Sequence, residues 1–174
     1  MWGGAQPAFE MWSGDGDGTN RPCKVWIEYL RGLCQDDGLA QGIFKVFGKP
    51  VRLSDVKLPV MAIACETDHI APWKASFNGI RQMASDDKSF VVSQSGHIAG
   101  IINPPAKGKY GHYSSTAAMT TPDDWMAGAS FTQGSWWPRW RDWLVVRSGP
   151  QGPARAAGDP PHPVCVPAPG QEVV

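Results

Sequence analysis

An α/β fold is predicted by three neighbouring stretches: a continuous apolar run from Leu58 to Cys65, a helical pattern from Pro72 to Ala84, and apolar Phe90-Val91-Val92. Strand, helix, strand in that order is the unit of a parallel sheet, whose inner strands are apolar on both faces. At 174 residues the length matches about one domain, and 42% hydrophobic residues are enough for one packed core.

The elements follow in chain order. Met1 to Pro22 is rich in glycine, including Gly14-Asp15-Gly16-Asp17-Gly18, and favours turns over regular structure. Pro22 to Leu33 sets Trp26, Tyr29, Leu30 and Leu33 at helical spacing, with Gly32 and Gly38 as stops. A short apolar piece, Val51 to Leu53, precedes the first strand, and the polar loop Glu66 to Ala71 follows it. Pro72 suits the first turn of a helix that places Trp73, Phe77, Ile80 and Ala84 on one face and ends at Ser85-Asp86-Asp87. The second strand, Lys88 to Gln94, is broken by Ser95-Gly96-His97. Ser148 to Val174 hold 7 Pro and 4 Gly in 27 residues, a composition that is not expected to join a core.

Several function classes are disfavoured at once. Sixteen Lys and Arg balance sixteen Asp and Glu, so no field steers a polyanion, and nucleic acid is not expected as a partner. The longest apolar run falls far short of the roughly 20 residues of a membrane span, and the first twenty residues carry no Lys or Arg. A cytoplasmic protein with reduced thiols is expected, because Cys23, Cys34, Cys65 and Cys165 show no C-x-x-C spacing.

Ligand and catalytic groups of open parallel sheets gather beyond the carboxyl ends of the strands. Asp68 and His97 both fall there, 29 residues apart. A carboxylate on one ring nitrogen holds a histidine in the tautomer whose other nitrogen takes a proton. Acid then base, each just past a strand, is the back half of the nucleophile, acid, base order of α/β-hydrolase folds. The plainer reading of the same residues is an Asp capping the next helix and a His satisfied within a loop. The strained elbow G-x-S-x-G or G-x-C-x-G that bears a nucleophile in that fold is absent from this sequence.

Longer strings carry a resemblance. Glu66-Thr67-Asp68-His69-Ile70-Ala71-Pro72-Trp73, Ser95-Gly96-His97-Ile98-Ala99-Gly100-Ile101-Ile102-Asn103-Pro104-Pro105 and Gly134-Ser135-Trp136-Trp137-Pro138 resemble the C-terminal part of polyhydroxyalkanoate synthases whose histidine motif reads G-H-I-A-G. Trp12 to Asn20, Tyr29-Leu30-Arg31 and Pro167-Ala168-Pro169-Gly170 extend the resemblance along nearly the whole chain, with an extra Gly-Asp pair in the first. The resemblance implies part of an α/β-hydrolase fold: residues 1–45 a remnant of a cap-like region, 46–147 the C-terminal part of the catalytic core, and 148–174 an extended tail. It implies that His97 matches the family's general base, and Asp68 its aspartate, which activates an incoming hydroxyl or orients the imidazole. It implies further that a cysteine of the complete enzyme accepts a 3-hydroxyacyl group from a coenzyme A thioester and passes it to a growing polyester.

That nucleophile lies further upstream of the aspartate than the 67 residues available before Asp68, so the resemblance implies two members of a triad without the third. It also implies a homo-oligomer when complete, partners limited to the thioester, the polyester and the granule surface, and no further cofactor. The alternative is a non-catalytic chain that pairs with an intact synthase subunit or coats the polymer granule.

Other features weigh less. Asp15 to Asn20 lacks the Gly and Glu of an EF-hand loop, whose places fall on Asn20 and Trp26. His69, His97 and His112 lack metal-binding spacing, and no metal is expected. His69 points away from its neighbour Asp68 on an extended segment, whereas Glu66 shares its parity and is the rival acid. Trp136, Trp140, Trp143 and Leu144 fit one helix face and are expected to pack in the core, with a surface for polymer or a partner subunit as the other reading. Pro104 to Thr121, with Lys107, Lys109, Tyr110 and His112, is expected as a solvated loop within reach of coenzyme A phosphates.

Overall fold

The computed structural model describes residues 20–154, 158 and 161–166, so the glycine-rich Trp12–Thr19 string and residues 167–170 lie outside the described residues. Glu28–Gly149 form one compact unit. Its strands are β1 (Lys45–Val46), β2 (Lys49–Pro50), β3 (Val60–Cys65), β4 (Lys88–Ser93), β5 (His112–Ser114) and β6 (Ser130–Thr132). Four α-helices are described: α1 (Cys23–Tyr29), α2 (Trp73–Arg81), α3 (Pro122–Ala127) and α4 (Trp137–Val145).

The expected strand-helix-strand unit is β3-α2-β4. Its two strands are parallel and in register from Val60↔Lys88 to Cys65↔Ser93. The α/β class holds, but the sheet is mixed, in the order β3-β4-β5-β6, because β5 runs antiparallel to β4 and β6 antiparallel to β5. β3 and β4 are joined by α2, whose crossover returns the chain to the starting end of the sheet and makes them parallel; the segment between β4 and β5 holds no α-helix but the 3-10 turn Pro105–Lys107, and there the chain simply reverses direction. β3 is an edge strand, half-buried from Val60 to Ile63, and β4 is the inner strand, buried from Phe90 to Ser93.

The core lies between α2, α3 and one face of the sheet. Phe77 from α2, Phe90 from β4 and Trp125 from α3 are each at most 2% exposed and meet mainly edge-on, with centroids 5.2 to 5.8 Å apart. Rings prefer this arrangement because the positive edge of one faces the negative face of the next. Burial of each such side chain stabilises the fold by about 1.5–3 kcal/mol. Trp125 is aimed inward by its cap: Thr121 Oγ1 accepts from the Asp124 amide at 3.1 Å and donates to the Asp124 carboxylate at 2.6 Å.

Several elements differ from the sequence expectation. Gly32 does not stop the first helix; α1 continues as a π-helical turn, Leu30–Gln35, and the missing side chain of Gly32 admits the Phe44 ring. A hairpin, β1–β2, without a counterpart in the sequence expectation, precedes the short apolar piece Val51–Leu53; it is turned by Phe47 and Gly48, both at positive φ, and a 3-10 turn begins at Leu53. Within the supposed solvated loop, β5 buries His112 and Ser114, and Gly111 before it is buried too; just ahead of the loop, Asn103, 2% exposed, donates to the Tyr110 carbonyl at 3.0 Å. Finally, α4 buries none of its residues: Trp140 and Leu144 are exposed, and Trp136 packs inside from the position before the helix. The described residues of the tail after Gly149 are all exposed.

Candidate active site

The parallel pairing carries the chain straight into the site. Beyond the last strand pair, Glu66 N donates to Ser93 O at 2.8 Å and Thr67 N to Ser95 O at 3.1 Å, so the two loops leave the sheet side by side. Asp68 Oδ1 accepts from the Ile70 and Ala71 amides, both at 2.9 Å, which folds the loop into a turn ahead of α2. These are loop amides, not the first amides of the helix. Asp68 Oδ2 lies 2.8 Å from His97 Nδ1.

A carboxylate can only accept, so Nδ1 carries the proton and Nε2 is the nitrogen left with its lone pair. The Asp68 side chain is 6% exposed and that of His97 46%, which puts the carboxylate behind and the imidazole in front. The Ala71 amide, with the His97 ring and the Ile70 amide, holds the Asp68 carboxyl below the usual carboxylate range, against a smaller push from desolvation. With its folded value depressed, Asp68 adds stability above its unfolded value, and this is lost as pH falls through the folded one.

The other candidates are not brought in. His69 is exposed and its ring makes no hydrogen bond among the described residues, while Glu66 is half-buried with only its backbone engaged among them. His112 is buried on β5 and its Nδ1 is 3.0 Å from the Gly134 carbonyl, a histidine satisfied within the fold. Cys65, the thiol nearest the dyad in sequence, is 1% exposed at the end of β3, with Sγ 3.8 Å from the His97 carbonyl rather than on the imidazole. Burial, then the charge of Asp68, pushes its thiol up, with the Gly100 amide opposing. Because thiolate is the reactive form, Cys65 is expected to be alkylated last of the four cysteines, well after exposed Cys23, Cys34 and Cys165. Peptide mapping after timed iodoacetamide treatment checks this, and early labelling of Cys65 would contradict it.

Three residues outside the sequence reading of the dyad shape it. Ser95 holds φ +78°, a left-handed backbone that costs a non-glycine residue about 1–3 kcal/mol and turns the chain into Gly96-His97. The Trp136 and Trp137 indoles donate to the Gly100 and Ile101 carbonyls, each at 3.0 Å. No periodicity signals either kind of contact.

The same chain was compared with known proteins. No protein-family model matches it. The poly(3-hydroxyalkanoate) polymerase subunit PhaC of Rhizobium meliloti is 38% identical over 152 residues, 87% of this chain and 25% of that protein. The corresponding subunit of Cupriavidus necator is 38% identical over 167 residues, 95% of this chain and 28% of that protein. Poly(3-hydroxyalkanoate) polymerase 2 of Ectopseudomonas oleovorans is 32% identical over 175 aligned residues, 100% of this chain and 31% of that protein. The chain thus spans between a quarter and a third of the relatives it matches. By these matches the chain is similar, along most of its own length, to one region of the poly(3-hydroxyalkanoate) polymerases.

Proposed function

We propose that this chain supplies the base and its orienting acid to a polyhydroxyalkanoate synthase, as the C-terminal part of an α/β-hydrolase fold. The observation that carries the reading is the 2.8 Å contact of Asp68 Oδ2 with His97 Nδ1, which leaves Nε2 facing out from the ends of two parallel strands. A cysteine from outside these residues gives its proton to His97 Nε2, and the thiolate attacks the thioester carbonyl of a 3-hydroxyacyl coenzyme A. The carbon–sulfur bond to coenzyme A breaks, the leaving thiolate takes the proton back from the imidazolium, and the acyl group stays on the cysteine. A hydroxyl then gives its proton to the imidazole and attacks the acyl carbon, forming the ester and freeing the cysteine. Both Asp68 oxygens are engaged, Oδ1 by two amides and Oδ2 by His97, which favours the orienting role over direct activation of the hydroxyl. The reaction site is cytoplasmic at the granule, and no cofactor beyond the thioester takes part.

Alone, the 174-residue chain is expected to release no coenzyme A from 3-hydroxyacyl thioesters. Joined to the part of the Cupriavidus relative that it does not cover, it is expected to release coenzyme A and lengthen polyester. Steady release by the isolated chain, abolished by changing any one cysteine, contradicts the missing nucleophile. An inert joined protein beside an active unaltered relative contradicts the reading as a whole.

A second reading, a non-catalytic chain that pairs with an intact synthase subunit, is favoured by the edge position of β3, whose outer side has no strand partner among the described residues. Co-purification with intact synthase, with no gain in activity on joining, separates it from the first.

A further inference from the structure

The turn bearing His97 is gripped from behind. Gly100 and Ile101 expose their carbonyls to the indole N–H groups of Trp136 and Trp137, consecutive residues 36 positions further on, each at 3.0 Å. Ser135 Oγ accepts from the Trp137 amide at 3.0 Å and fixes the backbone from which both indoles project. Trp136 is 7% exposed, so its N–H would forfeit a bond that water cannot replace.

The turn has no slack on its other side. A Cβ on Gly100 would stand 2.6 Å from Cys65 Sγ and 2.7 Å from the Gln94 carbonyl, distances that no side chain tolerates, so the carbonyl is held where the indoles meet it. Pairing of these indoles is not automatic. Trp143 on the same helix buries its indole N–H with no partner among the described residues.

We propose that Trp136 and Trp137 are positioning residues that hold the His97 imidazole on Asp68 by clamping the carbonyls of the His97 turn. This rests on the reading of His97 as the base, but the clamp has a readout of its own. Without the clamp the turn moves, the Nδ1 to Oδ2 contact is populated less, and the neutral ring divides between its two tautomers.

The test is made on the full chain labelled with nitrogen-15 in histidine, at a pH where the ring is neutral, by long-range proton–nitrogen spectra. The unaltered chain is expected to show the Nδ1–H form of His97. Trp136→Phe and Trp137→Phe keep an aromatic ring and remove the N–H, and each is expected to lower the ratio of Nδ1–H to Nε2–H by roughly two- to tenfold, the factor one net hydrogen bond commands. Trp143→Phe, which removes an unpaired N–H, is expected to leave the ratio unchanged. Where Trp136→Phe does not fold by circular dichroism, Trp137→Phe against Trp143→Phe decides alone. An unchanged ratio in Trp137→Phe, or an equal shift in Trp143→Phe, overturns the clamp. Failure of the base assignment looks different: His97→Ala would then keep full activity in the joined protein, whatever the tautomer ratio.

Discussion

His97→Ala, made in the chain joined to the uncovered part of the Cupriavidus relative, is expected to depress coenzyme A release by about 10² to 10⁴, the usual cost of losing a general base. His69→Ala is expected to keep most of the activity, because that ring is exposed and makes no hydrogen bond among the described residues. Asp68→Asn separates the two duties of the carboxylate. An amide oxygen can still accept from the Ile70 and Ala71 amides, but an NH2 placed opposite Nδ1 sets donor against donor and favours the wrong tautomer. Packing should survive while acylation falls. The measurement is single-turnover coenzyme A release beside polymer growth for all three variants. Equal losses at His69 and His97, or an unaffected Asp68→Asn, would place the dyad on the wrong residues.

Trp125→Ala is expected to destabilise the compact unit by about 3–5 kcal/mol, the range for emptying a buried aromatic site. The ring is 1% exposed and touches Trp73, Phe77 and Phe90, so its removal opens a cavity bordered by rigid rings that cannot collapse into it. Domains hold only about 5–15 kcal/mol in all, so the loss is a large fraction of the total. Val146→Ala, at a position 77% exposed, should stay within about 0.5 kcal/mol and serves as the comparison. Urea midpoints at constant slope measure both. A Trp125→Ala midpoint close to that of Val146→Ala would mean that the three-ring cluster is not the centre of the core.

The strand-helix-strand unit was legible because each piece is long enough to show its period: six residues in β3, nine in α2 and six in β4. That unit alone brings Asp68 and His97 to one end of the sheet, which is why spacing sufficed to nominate them. β5 and β6, three residues each, are too short to display alternation, and their pairing was invisible. A buried polar residue misled in the same region: His112 reads as part of a solvated loop, yet it is satisfied by the Gly134 carbonyl, which only the fold brings near. The Thr121-Pro122-Asp123-Asp124 start of α3 did carry a local signal, a capping residue followed by proline and acids, and could have been read. Trp136 and Trp137 illustrate the opposite limit, since the spacing of tryptophans does not say whether the ring or its N–H matters.

The two halves of the dyad differ in how far along the chain their support lies, and this orders them in time during synthesis. Asp68 is set by amides two and three residues onward, so its turn can close almost as soon as Ala71 has left the ribosome. The turn of His97 waits for indoles 36 residues beyond the carbonyls they hold. A nascent chain released before Ser135 would therefore carry a formed Asp68 turn and a His97 turn without its indole contacts. Stalled or truncated products could look folded by the packing around β3 and β4 while lacking the contacts that hold the His97 turn.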